Sequence, residues 1–407
     1  MEERTVRESQ PEKNMINSIL TLRYNLSLKP SLPKKEWKDF QEHQSHISTP
    51  SIEKIIKNSI KNSFTNTPKN IAIALSGGVD STLVLTLLRD VFPDLEIEAF
   101  SIKFADSVDE TEKAKDIANH FNANHNTIFL ENYLSELPKA ISIIEMPFWD
   151  LHWYYVVKNT SKKSKFLASG DGGDELFGGY TFRYEKFLKL TTPNSSPLEK
   201  VKAYLECHER DRVPDQEQLF GPKSNFSWNE IYQILIPYFD NSLPSLSQVF
   251  LADYNGKLLY NFSPINSRIH RHFRIQSLAP LLSNEVISLS THLPINSKYN
   301  QNSNTGKLVL REILKKHGSD IFLSKEKLGF NVNTLNLWKS NGFELCKFYL
   351  HDSRIVKDGW ISDDWIKKFI NRTDLDIRYV NKFLGLLAFE IWYRLFVTKE
   401  MSSTTIL

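Results

Sequence analysis

The chain has 407 residues, 41% hydrophobic and 24% charged, with a formal net charge of +3. That is enough apolar material for at least one large core; plentiful aromatic and β-branched residues argue against disorder, and lysines spread along the chain give no argument for nucleic acid. Its two cysteines, Cys207 and Cys346, have neither metal nor redox spacing. The start Met1-Glu2-Glu3-Arg4 lacks an apolar signal segment and no run of about 18 apolar residues occurs, so a cytoplasmic, soluble protein is expected.

Residues 1–50 are polar and broken by Pro30, Pro33 and Pro50, which predicts an N-terminal extension or linker remnant. From Ser51 the recurrence of Ile52, Ile55, Ile56 and Ile60 predicts a helix. An α/β alternation follows. Strands are predicted at Ile71 to Leu75, Ile97 to Phe104, Asn126 to Leu130 and Phe166 to Ala168, with helices at Ser81 to Phe92, Asp109 to Phe121 and Tyr133 to Ile144. Such alternation implies a parallel sheet with right-handed crossovers. Beyond about residue 184 the segments Leu198 to Glu209, Asn229 to Phe239, Leu246 to Tyr260, Asn284 to Thr291, Lys307 to Lys316 and Tyr379 to Val397 all predict helices. The expected layout is one unit over 51–400, with a nucleotide-binding α/β part (51–185) and a mainly helical part (186–400).

Two loops carry chemistry. Ser76-Gly77-Gly78-Val79-Asp80-Ser81-Thr82 lies between a predicted strand and a predicted helix. Its glycines permit a sharp turn, and amides at the helix start, with the Ser76, Ser81 and Thr82 hydroxyls, can hold phosphate oxygens. The loop lacks the GK[ST] ending of a Walker A motif. An acid inside a phosphate loop implies an intervening cation, so Asp80 is a candidate Mg²⁺ ligand; a plain helix cap is the blander possibility. Ser169-Gly170-Asp171-Gly172-Gly173-Asp174-Glu175-Leu176-Phe177-Gly178-Gly179-Tyr180 packs five glycines and three acids into a turn directly after a strand. Parallel sheets bind ligands at the carboxyl ends of their strands, so both loops should share one edge.

The first loop resembles the pyrophosphate loop of the N-type ATP pyrophosphatases. The two together resemble the synthetase domain of asparagine synthetases and of the related β-lactam and carbapenam synthetases. Weaker similarity continues through Lys307-Leu308-Val309-Leu310-Arg311-Glu312, Lys325-Glu326-Lys327-Leu328-Gly329-Phe330 and Phe389-Glu390-Ile391-Trp392. The resemblance implies a doubly wound parallel sheet of the adenine-nucleotide α-hydrolase type with a mainly helical C-terminal half. It implies a ligase forming C–N bonds, with ATP and Mg²⁺ as cofactors and AMP and pyrophosphate as products. It places the adenine nucleotide on the backbone around Leu75, Ile102, Ser169 and Gly170, and pyrophosphate among Ser76, Gly77, Gly78, Asp80, Ser81 and Thr82. It gives Mg²⁺ to Asp80 and Asp174, and charge neutralisation at the α-phosphate to Lys327. Asp171 stands where asparagine synthetases usually carry a glutamate that helps deprotonate or orient the amine.

The resemblance makes aspartate the first-choice carboxylate, with ammonia, free or delivered by a separate glutaminase subunit, as nitrogen donor. The alternatives are another carboxylate or amine, as in β-lactam synthetases, and a tRNA-modifying enzyme with the same first loop. Two departures stand out. The full-length family opens with a glutaminase domain bearing a nucleophilic cysteine, whereas residue 2 here is Glu2, so glutamine hydrolysis by that route is not expected. The usual Arg-x-Pro-Phe-Leu-Asp stretch is replaced by Ser277-Leu278-Ala279-Pro280-Leu281-Leu282-Ser283. The basic cluster around His270-Arg271-His272 is expected to be a solvated or phosphate-facing patch.

Overall fold

The strand β1 (Asn70–Ala74) is an unbroken apolar run because both its faces are covered. Ile71, Ile73 and the following Leu75 enter one core, while Ala72 and Ala74 enter the other. The computed structural model, which describes residues 11–42, 48–105, 107, 109, 111–323, 332–372 and 374–407, sets β1 in the middle of a sheet. Around it lie β2 (Glu96–Phe104), β3 (Asn124–Leu130), β4 (Phe166–Ala168) and β5 (Gln276–Leu278) in the order β3-β2-β1-β4-β5, every pair parallel.

The four expected strands are present; β5 was not foreseen. Its three residues are too few to show a period of two, and only pairing with β4 makes them a strand. It brings Ser277 and Leu278, from the helical half, into the sheet.

The helix α1 (Lys13–Leu22) belongs to the expected extension, yet Ile16, Ile19 and Leu20 are buried in one of the two cores. Asn17 and Gln216 tie this segment to the helical half by bonds to the Ser224 and Leu20 carbonyls. Helices α2 (Thr49–Asn62), α3 (Val79–Val91) and α4 (Thr111–His120) pack with Ile71 and Ile73. Helices α5 (Leu137–Ile144) and α6 (His152–Thr160) and the long helix Ile377–Phe396 pack with Ala72 and Ala74. The expected helix at 246–260 is longer than its periodicity suggested. Ser245–Asp253 continues through a π-helical stretch, Tyr254–Phe262, into Ser263–Phe273. Pro264 lacks an N–H, and the wider π turn lets the helix pass it. No helix among the described residues is long and apolar enough to cross a membrane.

One buried ion cluster fixes a helix that matters below. Glu53 on α2, 3% exposed, is reached by Lys57 at 2.5 Å, Lys316 at 2.7 Å and His317 at 2.9 Å. The last two end the helix Leu308–Lys316 and follow it. Burial alone would raise the Glu53 pKa, but hydrogen bonds from Lys316, Lys57 and His317 pull it down to about 2. Its stabilisation is therefore present above the unfolded carboxylate range and is lost as pH falls from about 4.5 towards 2. Glu53→Gln should cost roughly 3 kcal/mol near neutrality. Denaturant unfolding at pH 7 and pH 3 checks this, and the deficit should shrink at the lower pH.

Candidate active site at the sheet switch point

From β1 the chain moves outward one way, to β2 and β3; β4 and β5 lie on the other side. The order therefore reverses between β1 and β4, and the loops leaving their carboxyl ends flank the crevice where an open α/β sheet binds ligands. Those are the two loops with the chemical signatures.

In the first, Gly77 turns with φ 72° and Gly78 caps α3. Ser76 and Ser81 lie 3.3 Å apart by their hydroxyls, and the Gly78 amide donates to Ser76 Oγ at 3.4 Å. The loop is preformed, with the α3 amides at its mouth. The Lys113 side chain runs beside Gly77, adding a cation that the sequence pattern did not reveal. Thr82 is placed differently from expectation. It is fully buried, and its hydroxyl donates at 2.7 Å to the Gly78 carbonyl, so it braces the loop instead of lining it. Leu75 and Ile102 are buried at the ends of β1 and β2. The Leu75 amide and carbonyl both bond to β2, through Phe100 and Ser101, whereas pairing of β2 with β1 ends at Phe100, short of Ile102.

In the second loop, Ser169 is buried and its amide pairs with the Leu278 carbonyl of β5. After Gly172, with φ 90°, the short helix α7 (Gly173–Phe177) begins, carrying Asp174 in its first turn. The two loops touch. A Cβ at Gly173 would overlap the Asp80 carboxylate, and one at Gly179 would overlap that of Asp174. Only glycine permits this approach.

Asp80 and Asp174 converge on a third group, Lys307. Its ammonium bonds Asp80 and lies 2.6 Å from Asp174, with the lysine side chain 11% exposed. Lys307 sits in the left-handed region, φ 58°, as N-cap of the helix Leu308–Lys316, and its amide donates to the Phe177 carbonyl at 3.0 Å. Burial would lower its pKa, but the charges of Asp174 and Asp80 raise it well above the ordinary lysine value. One turn on, Arg311 feels the Asp80 charge as well. The sequence offered one signal for this lysine, a cation opening an apolar-periodic helix, and that pattern is common on surfaces.

Two carboxylates from separate loops, already gathered round one cation, suit Mg²⁺. That ion takes one or two carboxylates and completes its shell with water and phosphate oxygens. Among the described residues no group of three or more His, Cys, Asp or Glu side chains could hold a metal alone. Asp80 and Asp174 alone would leave most of a Mg²⁺ shell to water and phosphate oxygens. The adjacent Glu175 is buried, accepts the Tyr180 hydroxyl, and is pushed up to about 7 by burial and by Asp174.

Asp171 points elsewhere. Asn266 Nδ2 donates to its Oδ2 at 3.1 Å. Burial raises its pKa, against the pull of Ser169, Asn266 and His152. Lys327, with the Lys325 to Phe330 segment, lies outside the described residues. His270 is no solvated patch: it is buried, accepts the Trp153 indole N–H at 3.1 Å, and burial lowers its pKa to about 4.

The chain matches the family described as Asparagine synthase over residues 52–394. It is 24% identical over 365 residues to asparagine synthetase (glutamine-hydrolyzing) 1 of Bacillus subtilis, covering 80% of this chain and 56% of that protein. It is 22% identical over 369 residues to the asparagine synthetase (glutamine-hydrolyzing) of Rattus norvegicus, covering 82% of this chain and 60% of that protein. The chain thus spans little more than half the length of these relatives. With the family match running from α2 through both loops, Lys307 and most of the helix Ile377–Phe396, this chain belongs to the asparagine synthase family.

Proposed function

We propose that the protein activates a carboxylate with ATP as an acyl-adenylate and transfers the acyl group to an amine, forming an amide and releasing AMP and pyrophosphate. The observation carrying this reading is the convergence of Asp80 and Asp174 on one buried cation beside a preformed phosphate loop. The substrate carboxylate attacks the α-phosphorus. The α3 amides and the Ser76 and Ser81 hydroxyls receive the departing pyrophosphate, and Lys307 and Lys327 offset its charge. Mg²⁺, held by Asp80 and Asp174, would supply charge neutralisation at the phosphates. Asp171 orients the amine for the second step. Family membership favours aspartate as the acid and ammonia, free or delivered by a glutaminase, as the amine. A tRNA-thiolating role fits less well, because Cys207 and Cys346 are both buried. Burial pushes the Cys207 thiol up to about 12 and Cys346 well above its ordinary value.

The deciding experiment is carboxylate-dependent exchange of labelled pyrophosphate into ATP with Mg²⁺. Exchange dependent on aspartate supports the asparagine-forming reading; exchange with another acid only moves the enzyme to a different amide product. Asp80→Asn should abolish exchange, and undiminished exchange would remove Asp80 from the metal role. Lys307→Met leaves two part-buried carboxylates without their shared cation. It should lower the stability of the ligand-free protein by about 3 kcal/mol or more, with Mg²⁺ and ATP together recovering part of the loss in thermal unfolding.

A further inference from the structure

Asp174 lies in a five-residue helix with a glycine at either end, Gly172 and Gly178. So short a helix does not fix its own direction, and glycines give it none. The chain around it closes at Tyr180. The Gly179 amide donates to the Asp174 carbonyl at 2.9 Å, and the Tyr180 hydroxyl donates to Oε1 of Glu175, the residue after Asp174. The Tyr180 carbonyl then accepts the amides of Arg183 at 2.8 Å and Tyr184 at 3.2 Å, which starts the helix Thr181–Leu190. From the first turn of that helix Arg183 folds back, setting its guanidinium 4.1 Å from the centre of the Tyr180 ring. A cation over an aromatic face is attracted to it, most strongly where water is excluded.

Arg183 is itself anchored in the helical half. Its Nη1 lies 4.0 Å from Asp253 Oδ1, at the end of the helix Ser245–Asp253. Asp253 is 1% exposed. The same oxygen accepts the Tyr204 hydroxyl at 2.7 Å and has His208 Nε2 at 3.7 Å. Arg183 Nη1, Asp253 Oδ2 and His208 Nε2 are all buried, with no hydrogen-bond partner among the described residues. His208 Nδ1 lies 2.9 Å from the Tyr204 carbonyl and so carries the ring proton. Burial, with the Arg183 and Lys257 charges, holds this imidazole neutral, which leaves Nε2 an acceptor. One donor and two acceptors around a buried carboxylate match the bonding capacity of a single bridging water. The guanidinium is thus fixed by charge on the Asp253 side and by the Tyr180 ring on the other.

We propose that Arg183, tied to Asp253, is a positioning residue for the metal-binding acid Asp174. It clamps the Tyr180 ring, and Tyr180, through Glu175, fixes the turn that directs Asp174 towards Asp80. The inference rests on the metal role given to Asp174 in the adenylation reading. It deepens that reading by making the helical half, through Asp253, part of what shapes the cation site.

The test uses full-length protein and two readouts. One is carboxylate-dependent pyrophosphate exchange titrated with Mg²⁺. The other is Mn²⁺ binding in the presence of ATP, read from the electron paramagnetic resonance of free Mn²⁺. Arg183→Met should raise the Mg²⁺ concentration for half-maximal exchange, and the Mn²⁺ dissociation constant, by roughly 10-fold or more, while the KM for the carboxylate stays unchanged. Arg183→Lys keeps a cation near the ring and should recover part of the loss. Tyr180→Phe should shift the metal dependence in the same direction. The variant carrying both Arg183→Met and Tyr180→Phe should show no more than the larger single effect, because the two residues act in one chain. Wild-type metal dependence in Arg183→Met overturns the proposal. So do shifts that multiply in the double variant, or an equal loss of carboxylate and metal affinity. If the wild-type protein exchanges no pyrophosphate with any acid and binds no Mn²⁺ with ATP, the adenylation reading falls and this inference with it.

Discussion

Two carboxylates brought together in a part-buried crevice repel each other, and the fold of the site follows from how that repulsion is answered. At 5 Å and an effective dielectric near 20, two like charges cost about 3 kcal/mol. Asp80 and Asp174 are tolerated because Lys307 lies between them. The lysine cannot be placed by its own flexible stem. It is held by its left-handed backbone, by the bond from its amide to Phe177, and by a helix whose far end is pinned to α2 through Glu53. Three segments far apart in sequence are thereby locked to one charged point, and the glycines at 173 and 179 are what let them come so close.

The same point explains why the sheet order matters. Asp80 leaves β1 and Asp174 leaves β4, the neighbouring strands between which the connections change direction. At any other pair of strands the crossover helices would cover the edge; here the edge stays open. The helical half then closes the crevice from the side. Its contribution is more intimate than an appended lobe's, because β5 joins the sheet and Ser263–Phe273 reaches Asp171.

What could be read from sequence was whatever depends on neighbours along the chain. The strand–loop–helix periods and the glycine-acid strings at 76–82 and 169–180 are local, and the shared carboxyl edge of both loops follows from them. What escaped was set by partners distant in sequence. Lys307 is 227 residues from Asp80, and its place at the head of an apolar-periodic helix does not mark it as a partner of that acid. Lys57 shares α2 with Lys54 and Lys61, yet it pairs with buried Glu53. Thr82 belongs to the loop motif, but once α3 forms, its hydroxyl finds the carbonyl one turn back, a common outcome for threonine in a helix. Arg23 lies in a stretch whose prolines suggest a linker, and only tertiary packing joins it to Phe148, Trp149 and Asp150.

The spacing of the second loop also divides labour between its acids. Asp171 and Asp174 are three residues apart, but Gly172 turns the backbone between them, so Asp174 meets Lys307 and Asp171 meets Asn266. Under the proposed reaction, an acid that stays charged beside a cation and an acid that meets an uncharged amine need opposite surroundings. The first needs a fixed positive partner, the second a buried place that does not hold its charge too tightly. The loop supplies both within one turn of chain: Asp174 faces an ammonium, while burial raises the Asp171 pKa. In the proposed reaction a single carboxylate could not serve both steps, because the cation that would favour pyrophosphate departure would also suppress the basicity needed to receive an amine.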